Sequence, residues 1–289
     1  DYYNILDKAY LAPRLSLSYA FDELTTLRAV WGLYYQSPGY EKLRDQGILY
    51  DLSDQYTQNL AAEKATHYIL GIERWLSGEW SARVEGYYKD FDDLYRPQQL
   101  QGNRFYTEQI PGKDPKYLSG WTLPATFSGD STTQIPVNAA YGEAYGFEFF
   151  LTKRNTFYES RFSGWVSYAL AYANRYEDGI KYPFNFDQRH TVNIVLNYQL
   201  NSWLEFGVRW QYGSGFPISQ PAGVKPRIIL EDQDLDGTPE TPVIATRDVN
   251  NEGENPVIFD VDFADRKLNS RKPTYHRLDF RVNAFADWW

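Results

Sequence analysis

The chain of 289 residues contains no cysteine and no methionine. Without cysteine there is no disulfide framework and no thiolate metal site. Without methionine, the sequence is expected to be a processed product or a piece of a longer reading frame. Its opening residues are polar and carry no charged segment followed by an apolar export signal. Nowhere does an apolar run approach the ~18 residues of a membrane helix. Histidine occurs only three times, at His67, His190 and His276, far from metal-ligand spacing. Basic residues are outnumbered, giving a formal charge of −9, so nucleic acid is not expected as a partner.

What the chain has in abundance is rings. Aromatic residues make up 18% of it, including 25 Tyr and 9 Trp, and yet mean hydropathy is −0.59. A chain that is rich in rings but not greasy fits strands with one apolar and one wet face. Such strands recur at about 11–21, 25–35, 66–76, 79–91, 140–152, 160–173, 187–200, 203–213 and 275–286. Eleven residues rising ~3.3 Å each, tilted, match the roughly 25 Å apolar band of an outer membrane. The joining segments are of two kinds. Asp22–Leu24, Ser77–Glu79 and Asn201–Ser202 are minimal, whereas 36–65, 92–139 and 214–272 are long and polar. Short turns at one end and long loops at the other predict an all-β antiparallel transmembrane β-barrel. The loops are then extracellular, and lipid touches the apolar face.

Alternation assigns the faces. Leu27, Ala29, Trp31 and Leu33, with Trp80, Ala82, Val84 and Tyr88, belong to the lipid side. Val192, Ile194, Leu196 and Tyr198, with Leu204, Phe206, Val208 and Trp210, continue it. The opposite phase carries Glu73, Arg83, Glu85, Glu148, Arg209, Arg277 and Arg281, a predicted ladder of charges lining a wet interior. Aromatic girdles are expected at Trp75, Trp80, Trp203, Trp288 and Trp289 on the short-turn side. Tyr34, Tyr35, Tyr87, Tyr172 and Tyr212 are their counterparts on the long-loop side.

Several stretches together resemble the barrel of TonB-dependent outer-membrane receptors. They are LAPRLSLSYAF (Leu11–Phe21), TTLRAVWGLYYQSP (Thr25–Pro38) and EKATHYILGIERWL (Glu63–Leu76), followed by WSARVEGYYKDFDDLYRP (Trp80–Pro97). AYGEAYGFEFFLTKR (Ala140–Arg154), FDQRHTVNIVLNYQL (Phe186–Leu200) and WQYGSGFPISQP (Trp210–Pro221) continue the similarity. The resemblance implies a barrel of about 22 strands plugged by a separate domain. It also implies import of a scarce solute with energy from the TonB protein. On that basis the chain is the later part of such a barrel, without the plug. Outer-membrane lipid, the plug and TonB are the implied partners. The solute stays open among small molecule, glycan and peptide, with or without a surface lipoprotein at the mouth.

Two loop features suggest sites. Asp232, Asp234 and Asp236 precede Gly237, with Glu240 in the ninth position, which is the first half of a calcium loop. Val243 stands where the bidentate Glu belongs, so an acidic solvated turn is the alternative reading. The surrounding loop holds 11 acidic and 7 basic residues. In the 92–139 loop, Phe105, Tyr106, Tyr117 and Trp121 are candidate ligand-stacking rings, or packing for the loop itself. No cofactor is required and catalysis is not expected. Asp187 near His190 is the sole hint of a catalytic pair, and no serine with supporting context accompanies it. An outer-membrane barrel hydrolase and a soluble all-β carbohydrate-binding module are the alternative functions.

Overall fold

The computed structural model of the protein describes residues 1–38, 44–45, 48–155, 160–232, 240–248, 254–263 and 267–285. Nine strands follow one another in a single antiparallel meander. They are β1 (Arg14–Ala20), β2 (Thr25–Gln36), β3 (Glu63–Trp75), β4 (Trp80–Tyr106) and β5 (Ala125–Lys153). β6 (Phe162–Glu177), β7 (His190–Asn201), β8 (Leu204–Gly213) and β9 (Tyr275–Ala284) complete it. Number and order agree with the alternation in the sequence. The sheet is open: β1 and β9 lie at its two edges. The described regular helix is confined to Asp54–Thr57 and a 3-10 turn at Leu118–Gly120.

The short connections close with side-chain caps. Asp22 Oδ1 accepts from Leu24 N at 2.8 Å, and Asn201 Oδ1 accepts from Trp203 N at 3.1 Å. Ser77 Oγ takes the Glu79 and Trp80 amides. Short polar side chains of this kind bond to backbone two residues on, which is why they favour tight turns over strand interiors.

The 92–139 segment departs from the loop reading. β4 continues to Tyr106 and β5 already begins at Ala125, so much of the segment is hairpin. Gln, Ser and Thr are frequent there, and such residues pair through backbone bonds without a core of their own. β6 likewise runs past its expected end to Glu177. It then turns through Asp178 (φ 49°) and Gly179 (φ 78°) and pairs back along Ile180–Pro183. Two consecutive left-handed residues are what a type I′ hairpin turn requires.

The chain divides into two compact units. The first comprises residues 1–96, 136–218 and 268–289, and contains most of the meander. The second comprises 97–135 and 219–267. It holds the distal parts of β4 and β5 and two short ribbons, Pro221–Pro226 with Phe259–Phe263 and Ile228–Glu231 with Thr241–Ile244.

Candidate functional site

Register in the first unit separates the two faces. Leu17, Ala29, Leu70 and Gly86 lie in one row, and Tyr19, Leu27, Ile72 and Val84 in the next. Farther along, Trp210 pairs Ile194 and Leu278, while Phe206 pairs Tyr198 and Val282. This apolar face is strongly exposed, at 69% for Leu70 and 74% for Phe280. Fully covering such a side chain is worth roughly 1.5–3 kcal/mol, so a broad greasy face is left without a cover. The buried apolar cluster of Leu6, Leu60, Ala62 and Tyr95 is far too small to replace it.

The other face carries the whole predicted ladder. Glu73 stands opposite Arg83, and Gly71 opposite Glu85. Arg28 reaches Glu73 at 2.9 Å, and Arg83 lies 3.7 Å from Glu85. Arg209 pairs in register with Asp279, which Arg277 contacts at 2.8 Å. Arg281 reaches Glu205 at 2.9 Å and Asn197 at 3.1 Å. Glu148 shares a groove of about 150 Å³ with Arg83 and Asn193. These pairs are partly exposed and so contribute little to stability. Ionised groups of this kind are costly to move out of water, so the face is unsuited to hydrocarbon.

Three of the expected girdle residues face the other way. Tyr34 and Tyr87 lie in the rows of Ala65 and Ile69, on the charged face, and Trp75 stands beside Ser81 there. The phase of the alternation, counted through each register, puts them on the charged face. Tyr35, Tyr172 and Tyr212 do fall on the apolar face. They are joined by stacked pairs that the sequence reading missed. Tyr141 lies 4.7 Å from Tyr176, and Tyr145 5.4 Å from Tyr172. Equal spacing of Tyr along β5 and β6 was the available signal. Trp288 and Trp289 lie outside the described residues.

On the charged face the long-loop end is lined with rings. Asp93 (φ 56°) interrupts the alternation of β4. Leu94 thereby joins Tyr34, His67, Phe91, Phe184 and Phe186 around a cavity of about 340 Å³. Phe184 packs where Gly142 leaves room: a Cβ there would sit 2.9 Å from the ring. Below it, Arg175 and Glu177 form a buried pair at 2.7 Å, and Arg175 also donates to the Tyr95 carbonyl.

Asp187, 3% exposed, is a junction rather than half of a catalytic pair. Its carboxylate accepts the Ala173 amide at 2.9 Å and the Arg271 guanidinium, with Arg189 3.6 Å away. Arg271 donates as well to the carbonyls of Asp187 and Gly215. His190 instead meets the Tyr168 hydroxyl at 3.0 Å. Asp187 thus ties the ends of β6 and β7 to both roots of the 214–272 excursion. The two residues stand out in the sequence but their separate partners do not, because Arg271 is remote from Asp187 along the chain.

The four candidate rings of the second unit divide. Tyr106 meets Phe127 edge-on at 5.8 Å, and both line a cavity of about 440 Å³ with Phe105. Trp121 packs on Phe259 at 6.0 Å and donates Nε1–H to the Pro115 carbonyl, while Tyr117 bridges to Pro256. Of the calcium candidates, Asp234 and Asp236 lie outside the described residues. Asp232 and Glu240 flank that segment. Among the described residues, no three His, Cys, Asp or Glu side chains gather as metal ligands.

Across residues 1–288 the chain matches the family model described as "TonB dependent receptor-like, beta-barrel", and it belongs to that family. Two solved structures share the fold. The FrpB iron transporter from Neisseria meningitidis (F3-3 variant) superposes with a TM-score of 0.52 at 15% identity, over 96% of this chain and 32% of that one. The siderophore receptor PirA from Acinetobacter baumannii does so with a TM-score of 0.52 at 13% identity, over 96% and 35%. The chain therefore spans about a third of the length of these neighbours. No curated protein matches it significantly. The family is one of outer-membrane receptors and transporters rather than enzymes.

Proposed function

We propose that this chain is part of the wall of an outer-membrane receptor that captures a scarce solute and imports it with energy supplied through TonB. The observation that carries the reading is the two-faced meander. One face is apolar and exposed, the other carries the charges. In that reading lipid covers the first face, and a plug domain docks against the second. The long connections 36–65, 92–139 and 214–272 face the medium and form the capture surface, with Phe105, Tyr106, Tyr117 and Trp121 among its rings. A surface lipoprotein is a candidate partner at this mouth. The family membership and the iron and siderophore neighbours support a transport role.

The mechanism needs no bond-making chemistry. Loops bind, the plug blocks the interior, and the charged ladder (Glu73, Arg83, Glu85, Glu148, Arg209, Arg277, Arg281) holds that plug through hydrated contacts. Such contacts exchange readily with water, so a pull from the periplasm can break them one after another. The test is uptake by cells carrying the full-length receptor, compared with and without TonB. Accumulation that stops when TonB is removed supports the proposal; accumulation unchanged without TonB refutes energy coupling.

Asp232, Asp234, Asp236 and Glu240 are further proposed to take Ca²⁺, ordering the 214–272 excursion. Carboxylates two residues apart followed by Gly237 supply oxygen ligands of the type this ion requires. Calcium titration with a protease-protection readout tests the site. Protection lost in Asp232→Asn/Asp236→Asn supports it, and an absence of protection at millimolar calcium sets it aside.

A further inference from the structure

The cavity of the second unit has two chemically different walls. One is the distal hairpin of β4 and β5, presenting Phe105, Tyr106 and Phe127. Tyr106 and Phe127 are 48% and 43% exposed, so their ring surfaces are available to a ligand. The other is one face of the ribbon that pairs Pro221–Pro226 with Phe259–Phe263. There Lys225 stands opposite Asp260, and Gly223 opposite Asp262. Lys225 reaches Asp262 at 3.0 Å, and Arg227 grips Asp260 through Nε at 2.9 Å and Nη2 at 2.6 Å. The wall is therefore a checkerboard of alternating charges. Arg104 adds a cation at the rim and donates to the Asp130 carbonyl at 3.3 Å.

This composition discriminates among ligand classes. A polyanion such as a ferric catecholate complex would meet Asp260 and Asp262 directly, and their nearby cations are already engaged by them. A purely apolar ligand would strip water from four charges with no hydrogen bond in return. A ligand bearing many neutral hydroxyls satisfies both walls. Its O–H groups donate to carboxylates, which accept only, and its oxygens accept from Arg104 and from the ammonium hydrogens of Lys225 that Asp262 leaves over. Its C–H faces lie against the rings, the amphipathic contact that aromatic side chains favour. The Arg227 hydrogen bond holds the Asp260 carboxyl below its ordinary range, so it remains an acceptor at neutral pH.

We infer that this cavity, between the Phe105–Tyr106–Phe127 hairpin and the Lys225–Asp260–Asp262 ribbon, is a binding site for a neutral oligosaccharide. The inference rests on the receptor reading and names a ligand class for its capture surface. At about 440 Å³, the cavity is of a size to hold a few sugar residues of a longer chain.

The test uses the full-length receptor in detergent, presented to an array of neutral oligosaccharides and then titrated calorimetrically with the best binder. A ferric 2,3-dihydroxybenzoate complex serves as the comparison probe. The inference expects saccharide binding that Tyr106→Ala and Asp262→Asn each weaken about tenfold or more, the scale of a lost contact to a charged or stacked partner. Tyr106→Phe, which keeps the ring, is expected to bind nearly as the parent does and controls for folding. No binding anywhere on the array, binding indifferent to both variants, or catecholate binding sensitive to them overturns the inference. Saccharide binding that persists without TonB-dependent uptake leaves it standing and removes only the transport reading.

Discussion

Two adjacent residues of β3 give the two-face account a sharp consequence. Leu70 belongs to the apolar rows and is 69% exposed, whereas Ile69 lies on the charged face between Val30 and Tyr87. Leu70 sits near the middle of a strand running from Glu63 to Trp75, which places it near the bilayer midplane in the proposed setting. An arginine on the lipid face at that depth costs about 2–4 kcal/mol. Leu70→Arg is therefore expected to lower the folding equilibrium by roughly 30- to 700-fold, at about 1.4 kcal/mol per tenfold. Ile69→Arg points into the wet interior near Glu85 and is expected to cost less than about 1 kcal/mol. Urea-dependent folding of the full-length receptor into lipid vesicles, followed by its heat-modifiable gel mobility, measures both. If the variant at 69 proves as damaging as the variant at 70, or more so, the facial assignment is wrong.

Other consequences concern the junctions and the loops. Asp187→Ala leaves the Arg271 guanidinium and the Ala173 amide without their carboxylate, and should destabilise the receptor by about 3–5 kcal/mol. Faster hydrogen exchange at the Ala173 amide locates that loss, and exchange unchanged from the parent would argue against the junction. Asp260 is held ionised by Arg227, so the stability from this contact is present above the ordinary carboxylate range and lost as pH falls through the depressed value. The chemical shift of the Asp260 carboxyl should accordingly titrate below that of a free aspartate, and Arg227→Gln should return it to the usual range. Gly142→Leu is expected to drive Phe184 from its seat and loosen the Ile180–Pro183 hairpin, seen as increased proteolysis near Asp178.

Much of this arrangement is legible in the sequence. The nine strands and their order follow from a period of two, since each ribbon must keep its greasy residues on one side. The ladder was readable for the same reason: Arg83 and Glu85, or Arg277 and Arg281, share a phase whatever their neighbours are. Phase within one strand does not carry over to the next without the register, and so Tyr34, Tyr87 and Trp75 were placed on the wrong face. Strand ends were less readable. β4 and β5 continue beyond the apolar band through polar residues, where pairing depends on backbone bonds and cross-strand contacts. Contacts between distant segments were not readable at all. Arg271 meeting Asp187, and the ribbon of 221–226 with 259–263 facing Phe105 and Phe127, depend on chain closure that no local pattern encodes.

The central claim is that hydrocarbon covers one face of the meander and water the other. Nitroxide labels placed singly at positions 83, 84, 206 and 209 of the vesicle-inserted receptor test it most directly. The account predicts that labels replacing Val84 and Phe206 are relaxed by oxygen dissolved in the bilayer, and those replacing Arg83 and Arg209 by an aqueous nickel chelate. Nickel access at 84 and 206, with oxygen access at 83 and 209, would contradict it.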